Sequence, residues 1–380
     1  MDDGEACCSR VLEICEFIDL QICKRLYYII MAKKNDSTNL HIAKAKKEDE
    51  FYTQLSTIEN ELRHYKEHFY GKVVFCNCDD PRVSNFFKYF SINFEHLGLK
   101  RLICTCYKNQ DIDLFTANKA ERAVYTIYEG DKNNNRVVDR EEIEVHELNG
   151  DGDFRSKESI ELLKQADIVC TNPPFSLFRE YMAQLIAYNK KFIIIGNQGA
   201  ASYKEIFPLI RDNKIWLGYH SGHTVFDVPE DYTLPEKYKD ADKSLLRSNG
   251  YILDDNGNLI QRNLGNICWF TNLDIEKRHE NIILYKKYSP EEYIKYDNFD
   301  AINVDEVQDI PIDYYGMMGV PISFLDKYNP EQFVLVGIGS GTLAASIGVK
   351  KNYRGRTDIS YTAKNGKPKC PFGRIIIKRK

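Results

Sequence analysis

The chain has 380 residues, of which 43% are hydrophobic, and its formal net charge is −4. This length suffices for a catalytic domain and a second, smaller part. No run of about eighteen apolar residues is present, so we expect no membrane span. The 11 cysteines follow neither a zinc-site spacing nor a disulfide framework. They predict a reducing, cytoplasmic compartment and no metal site.

The charge is distributed unevenly along the chain. Residues 350–380 contain eleven Lys and Arg and a single acidic residue, Asp358, so this segment carries +10 and the remainder −14. A basic block of this kind predicts a surface that contacts phosphates, and therefore a nucleic-acid partner. A solvated, charged terminus is the alternative interpretation.

Residues 1–45 form an N-terminal extension. Residues 1–30 are rich in cysteine and lack the small-residue cleavage site of a secretory signal. Met31 begins a stretch that reads like a natural protein start, so we expect translation to begin there or residues 1–30 to be dispensable. Residues 31–45 are polar and basic, which predicts a mobile segment.

The segment from residue 46 onward carries alternating helix and strand signals. Ser56, followed by Glu59, forms a capping box that predicts a helix running to about Phe69. Residues 72–78 then predict the first buried strand.

A second helix is expected directly after this strand. Asp80 is its predicted N-cap and Pro81 its first residue. The loop between strand and helix contains no glycine. Residues 100–107 predict the second strand, and residues 158–166 a short helix.

The most informative stretch is the sequence Asp-Ile-Val-Cys-Thr-Asn-Pro-Pro-Phe at residues 167–175. Residues 168–171 predict a buried strand, and the two prolines end its hydrogen-bond ladder. An amphipathic helix and an apolar strand at residues 192–196 follow. This order predicts an α/β protein with a doubly wound, Rossmann-like sheet, in which ligands bind at the carboxyl ends of the strands.

The loop at residues 172–175 carries groups that can bind the amino group of a planar base. The amide of Asn172 and the carbonyl of Pro173 offer two acceptors, which match the two hydrogens of an exocyclic amino group. Phe175 can stack on a flat base. Pro173 and Pro174 keep the loop rigid, so its geometry exists before a substrate arrives.

The remaining segments are less specific. An Asn-Gly pair at residues 256–257 predicts a hairpin. Residues 276–380, which end in the basic block, form a second, smaller region.

These residues resemble a known family. Asn-Pro-Pro-Phe at 172–175 resembles the catalytic motif of S-adenosylmethionine-dependent amino methyltransferases. Residues 49–54, 77–86, 171–175, 269–273 and 319–322 are similar, more narrowly, to the EcoRI-type adenine-specific DNA methyltransferases. The glycine-poor loop after the first strand fits this group better than the general methyltransferase pattern.

The resemblance implies methylation of N6 of an adenine that is flipped out of double-stranded DNA, with S-adenosylmethionine as the methyl donor and no metal. It implies a catalytic domain at residues 46–275 and a target-recognition region at residues 276–380. A cognate restriction endonuclease that acts on the same site is a further implied partner. The implied catalytic residues are Asn172, Pro173, Pro174 and Phe175.

The resemblance also implies which residues bind the cofactor. Phe51, Tyr52 and Thr53 would lie beside its methionine end, although a helix lead-in with buried aromatic residues is an equal alternative. In the glycine-free loop, the acids Asp79 and Asp80, next to Asn77, would hold its ammonium group.

Asp153 would accept a hydrogen bond from the amino group of the cofactor's adenine, and Phe154 would pack on the adenine ring. A calcium-loop-like turn is the alternative for this stretch, but it lacks the later ligands of an EF-hand.

Two alternative functions stay open from the sequence. The same loop can methylate another planar amino group, such as guanine N2 in ribosomal RNA, cytosine N4 or a protein glutamine. The chain can also be a non-catalytic nucleic-acid-binding protein that retains the fold.

Overall fold

The computed structural model describes residues 52–78, 84–105, 123–135, 138–228, 234, 236–239, 241–255 and 257–380. These residues fall into two compact units. The first comprises the described residues within Met1–Gly196 and Gly222–Ile267, and the second Asn197–Ser221 and Cys268–Lys380. Within the described ranges no helix is both long and apolar enough to cross a membrane. The expectations for residues 1–45 lie outside the described residues.

The strands, in chain order, are β1 (Tyr52–Thr53), β2 (Val73–Asn77), β3 (Arg101–Thr105), β4 (Val124–Tyr128), β5 (Ile143–Glu147), β6 (Ile168–Thr171), β7 (Lys191–Asn197), β8 (Trp216–Asp227), β9 (Tyr251–Leu253), β10 (Leu259–Thr271), β11 (Ile302–Asn303), β12 (Met317–Pro321), β13 (Phe333–Ile338), β14 (Tyr361–Thr362), β15 (Pro368–Lys369) and β16 (Arg374–Arg379).

The α-helices are α1 (Leu55–Leu62), α2 (Lys66–Phe69), α3 (Asn85–Ile92), α4 (Phe94–Leu97), α5 (Lys157–Gln165), α6 (Phe178–Ala187), α7 (Phe207–Arg211), α8 (Lys243–Ser248) and α9 (Gly341–Ser346). Short 3-10 turns occur between them, among them Arg63–Tyr65 and Phe175–Leu177.

The large sheet has the order β1-β8-β10-β7-β6-β2-β3-β4-β5, with β9 paired to β10. Strands β3, β2, β6 and β7 are parallel neighbours. Strands β2 and β6 are buried throughout, as expected for parallel strands that are covered on both faces. Strands β4 and β5 continue the sheet in antiparallel pairs. The predicted α/β class is therefore confirmed, with a sheet that is mixed.

Two predicted helix starts are wrong. Helix α1 begins after Gln54, whose carbonyl accepts from the backbone N–H groups of Thr57 and Ile58 at 3.1 and 3.2 Å. The predicted capping box at Ser56 is therefore inside the helix. The chain leaves β1 at Thr53, and this strand pairing fixes where the helix starts.

The helix after β2 begins at Asn85 rather than at Pro81. Ser84 is its N-cap, and its hydroxyl accepts from the backbone N–H groups of Phe86 and Phe87 at 3.1 and 3.2 Å. Asp80 and Pro81 lie outside the described residues. Ser and Asp are about equally good caps, so the sequence alone did not separate the two positions.

The second unit has a four-stranded sheet in the order β11-β12-β16-β13. Strand β16 pairs antiparallel with both β12 and β13, and Ile375, Ile376 and Ile377 are buried. The basic C-terminal segment is therefore a folded part of this unit and not a solvated tail.

The predicted hairpin is confirmed in the first unit, where β9 pairs antiparallel with β10.

Candidate functional site

The Asn-Pro-Pro-Phe loop follows β6 directly. The side chains of β6 are all buried, and the strand is parallel to both β2 and β7, so the loop leaves the carboxyl end of the parallel core. Pro173 is buried, whereas Asn172, Pro174 and Phe175 are half-buried. The two prolines and the following 3-10 turn limit the conformations of this loop.

A buried polar network ties the loop to the neighbouring strand. Thr171, the last residue of β6, donates its hydroxyl to the backbone carbonyl of Asn77, the last residue of β2. The hydroxyl of Tyr181 on α6 donates to the side-chain oxygen of the same Asn77. All three residues are buried. The ends of β2 and β6 and the start of α6 are thereby held together behind the candidate site.

We expect Tyr181→Phe to lower the free energy of unfolding by about 1–3 kcal/mol, because it leaves the buried oxygen of Asn77 without this donor. Denaturant unfolding measures the change. Tyr89→Phe is the matched control, since Tyr89 is also a buried tyrosine, 5% exposed. Equal losses of stability in the two variants would contradict the role of the network.

Cys78 is the first residue after β2, and its φ of 65° lies in the left-handed region. Side chains other than glycine rarely adopt this conformation. The first residue of this loop therefore adopts a backbone conformation that glycine usually supplies, although the loop contains no glycine.

This geometry predicts opposite effects for two substitutions at residue 78. Cys78→Gly should be tolerated, whereas Cys78→Val should destabilise the protein by about 1–3 kcal/mol more, because a β-branched residue is strained at positive φ. Thermal unfolding of both variants, compared with the wild type, checks the difference. Equal melting temperatures of the Gly and Val variants would refute the left-handed assignment.

The predicted cofactor residues before β2 are only partly described. Phe51 lies outside the described residues. Tyr52 is 39% exposed and Thr53 is buried, and both pair with β8. The side-chain amide of Asn85 donates to the carbonyl of Thr53 at 2.9 Å, which links β1 to the first residue of α3.

The predicted adenine-binding pair lies just before α5. The ring of Phe154 is 4% exposed and meets the ring of Tyr181 edge-on, with 5.0 Å between the centroids. Its backbone carbonyl accepts from the side chain of Gln184 at 2.9 Å. Phe154 and Asn77 therefore contact the same tyrosine.

Asp153 forms an ion pair that the sequence analysis did not predict. Its carboxylate accepts from the Arg155 Nε at 2.8 Å, and Arg155 also pairs with Glu180 on α6 at 2.9 Å. The hydrogen bond with Asp153, together with the charge of Glu180, raises the pKa of Arg155 above its usual value. The Asp153 carboxylate also accepts from the backbone N–H of Arg155 at 2.8 Å and from its Nη2, so Arg155 fixes the position of this carboxylate.

The structure thus brings Asn77, Phe154 and the loop at residues 172–175 to one region of the first unit, around Tyr181. Asp79 and Asp80 lie outside the described residues. Sequence reasoning missed Tyr181 as a site residue, because its position on the apolar face of a helix predicted only core packing. Among the described residues, no group of three or more His, Cys, Asp and Glu could hold a metal ion.

Comparison with known proteins identifies a family and several relatives. The family model described as "Adenine-specific methyltransferase EcoRI" matches residues 39–380. "Type II methyltransferase M.EcoRI" of Escherichia coli is 50% identical over 355 residues, which cover 92% of this chain and 99% of that protein. "Type II methyltransferase M.MgeORF184P" of Mycoplasma genitalium is 38% identical over 343 residues, with coverage of 89% and 97%.

A third relative is "Type II methyltransferase M.MpnI" of Mycoplasma pneumoniae, which is 34% identical over 341 residues, again with coverage of 89% and 97%. No solved structure matches the chain.

Proposed function

Since this chain belongs to the family of EcoRI-type adenine-specific methyltransferases, we propose that it transfers a methyl group from S-adenosylmethionine to N6 of an adenine in double-stranded DNA. The loop at residues 172–175, at the carboxyl end of β6, is the observation that carries this assignment. The proposed setting is a type II restriction–modification system, in which methylation protects the site from a cognate endonuclease.

The proposed roles in the reaction belong to the loop. When bound, S-adenosylmethionine supplies an electrophilic methyl group on a sulfonium centre. The side-chain oxygen of Asn172 and the carbonyl of Pro173 accept the two hydrogens of the adenine amino group. This draws the nitrogen toward tetrahedral geometry, so its lone pair is no longer delocalised into the ring. The nitrogen is then a competent nucleophile.

Phe175 has the proposed role of holding the flipped adenine. Its ring is half-buried, so one part is fixed by packing while another can meet a ligand. Stacking of a base on an aromatic side chain stabilises a complex by about 1–3 kcal/mol, which offsets part of the cost of extruding the base.

The rigidity of the loop supports this role. Pro173 is buried, and the backbone N–H of Leu177 donates to the carbonyl of Pro174 at 3.0 Å. The network of Thr171, Asn77 and Tyr181 fixes the strand ends behind it. A preorganised site of this kind needs little rearrangement when the substrate binds.

The residues present fit an S-adenosylmethionine site. Asn77 and Phe154 share their contact with Tyr181, which supports the assignment of both to one pocket wall. The carboxylate of Asp153, whose position Arg155 fixes, is the proposed acceptor for the amino group of the cofactor's adenine. The acidic character of Asp79 and Asp80 suits the cofactor's ammonium group.

Phe51, Tyr52 and Thr53 are proposed to lie at the cofactor's methionine end. The support is the hydrogen bond between Thr53 and Asn85, which ties this segment to the helix that follows β2.

We assign catalysis to residues 46–275 and target recognition to residues 276–380. The described candidate residues all belong to the first compact unit and the basic segment 350–380 to the second, which supports two functional regions. Residues 197–221 and 268–275 of the proposed catalytic part also belong to the second unit. The parallel neighbours β3, β2, β6 and β7 support a doubly wound, Rossmann-like organisation of the catalytic sheet.

Transfer of label from methyl-labelled S-adenosylmethionine tests the substrate class. Unmethylated duplex DNA, ribosomal RNA and a mixed protein fraction are offered separately to the wild-type protein. We expect label in the duplex DNA alone. Label in RNA or protein but not in DNA would contradict the proposed substrate.

A further inference from the structure

An exposed aromatic side chain lies within the basic segment of the second unit. Phe372 is 94% exposed, the largest fraction among the exposed large hydrophobic residues that the structure describes. It occupies the loop between β15 and β16. A phenylalanine gains favourable free energy from burial, so folding alone gives no reason for this exposure.

The loop presents the ring in a defined position. Phe372 lies between Pro371 and Gly373, and Gly373 has a φ of 51°. Proline restricts the backbone on one side, and on the other side the chain makes a turn that suits glycine. The chain then enters β16, whose residues Ile375–Ile377 are buried.

A second loop is tied to this one. The side-chain amide of Asn352 donates to the Sγ of Cys370 at 3.3 Å. The side-chain oxygen of Asn352 accepts from the backbone N–H groups of Arg354 and Arg356 at 2.8 and 3.2 Å. Tyr353, which is 50% exposed, and these two arginines are therefore held next to the Phe372 loop.

The surroundings are strongly cationic. Residues 350–373 contain seven Lys and Arg and one acid, Asp358. All seven cationic side chains are exposed, and the Asp358 carboxylate accepts from the backbone N–H of Gly341 at 3.1 Å. Among the ion pairs between described residues, none involves these seven cations. Protein–protein interfaces are depleted of lysine, so this composition favours an anionic partner.

We propose that Phe372 inserts between neighbouring bases of the DNA duplex, while the surrounding lysines and arginines bind the phosphates. An apolar side chain that is flanked by phosphate-binding cations is the arrangement with which proteins unstack a base step. This inference rests on the proposed DNA substrate and adds a residue that positions the duplex for methylation.

Intrinsic fluorescence of Phe372→Trp tests the insertion directly. Trp216 and Trp269 supply a constant background, which the wild-type protein measures. Duplex DNA that the wild type methylates should quench the emission of the new tryptophan, because it stacks on bases. Tyr70→Trp is the control, since Tyr70 is 78% exposed in the first unit, and its emission should stay unchanged.

Equilibrium binding separates stacking from phosphate contact. Phe372→Ala should bind the same duplex about tenfold more weakly, with an unchanged slope of log K against log salt concentration. The double variant Lys364→Ala/Lys367→Ala should instead reduce this slope by about 0.9 for each phosphate contact that is lost. Because Phe372 is almost fully exposed, its replacement leaves the core intact, which circular dichroism verifies.

The outcomes distinguish this inference from the proposed function. Unchanged emission of Phe372→Trp at saturating DNA, or wild-type affinity of Phe372→Ala, overturns the insertion if the wild type methylates DNA, and leaves the proposed function standing. Self-association that Phe372→Ala abolishes, with DNA affinity unaltered, would assign the ring to a protein interface and also overturn it. A wild-type protein that methylates no DNA overturns both.

Discussion

Asn172→Ala should slow methyl transfer to DNA by about 10²- to 10³-fold, the usual effect of removing one preorganised hydrogen-bonding group at a reacting centre. The side chain supplies one of the two proposed acceptors for the adenine amino group. Without it, one N–H is unbound and the lone pair stays delocalised. The affinity for S-adenosylmethionine should stay close to that of the wild type, because Asn172 is not assigned to the cofactor. Single-turnover transfer and equilibrium dialysis measure the two quantities.

Gln165→Ala is the matched control for the loss of a side-chain amide. Gln165 lies at the end of α5, where its exposed amide donates to the Glu161 carbonyl at 3.3 Å. We expect wild-type transfer rates for this variant. If Asn172→Ala and Gln165→Ala transfer methyl groups at the same rate, Asn172 has no role in the reaction.

Asn298→Ala should lower the free energy of unfolding by about 3 kcal/mol or more, because each buried polar group that loses its partner costs about 1–3 kcal/mol. Asn298 is 8% exposed. Its side-chain amide donates to the carbonyls of Lys350 and Asp358 at 2.7 and 2.8 Å, and its oxygen accepts from the backbone N–H of Ser360 at 2.8 Å. One side chain thus binds three backbone groups of the basic segment. The Asp358 carbonyl also accepts from the Asn352 amide at 3.0 Å, so the carbonyl of Lys350 and the N–H of Ser360 are the groups most affected.

Denaturant unfolding of Asn298→Ala measures this loss, and hydrogen exchange at the Ser360 amide locates it. Asn365→Ala serves as the control, since Asn365 is exposed and its oxygen accepts only from the backbone N–H of Lys367 among the hydrogen bonds described, at 3.1 Å. Stability of Asn298→Ala indistinguishable from that of the control would show that the segment is organised by other contacts.

The parallel core and the loop after β6 could be predicted from the sequence. Residues 168–171 are apolar and too few for a helix, and they form β6 without a change of bounds. The prolines that follow predict the end of the strand, and β6 ends there, at Thr171. Local patterns suffice here because burial, chain stiffness and proline chemistry all favour the same conformation.

Features that depend on distant partners could not be predicted in this way. Strands β4 and β5 pair with each other. The side chains of β5 are exposed or half-buried, so the sequence has no apolar run there that would indicate a strand. Tyr181 looked like a core residue, since its hydrogen bond with Asn77 joins positions 104 residues apart. The helix that follows Gln54 starts where β1 ends, and the helix that begins at Asn85 is capped by the Ser84 hydroxyl.

The C-terminal segment shows how charge can conceal a core strand. Residues 350–380 are strongly basic as a whole, and this composition predicts a surface that contacts phosphates. Within it, Ile375, Ile376 and Ile377 are buried between β12 and β13, while the flanking Lys378 is exposed. Composition averaged over residues 350–380 does not resolve an apolar run of three residues.

The measurement that tests the central claim most directly is the mass of the modified nucleoside. Duplex DNA is incubated with the wild-type protein and S-adenosylmethionine that carries a deuterated methyl group, and is then digested to nucleosides. We predict that the modified nucleoside is deoxyadenosine with a deuterated methyl group on N6, and that it is nearly absent with Asn172→Ala. A deuterated methyl group on cytosine N4, or equal N6-methyladenine from both proteins, would contradict the account.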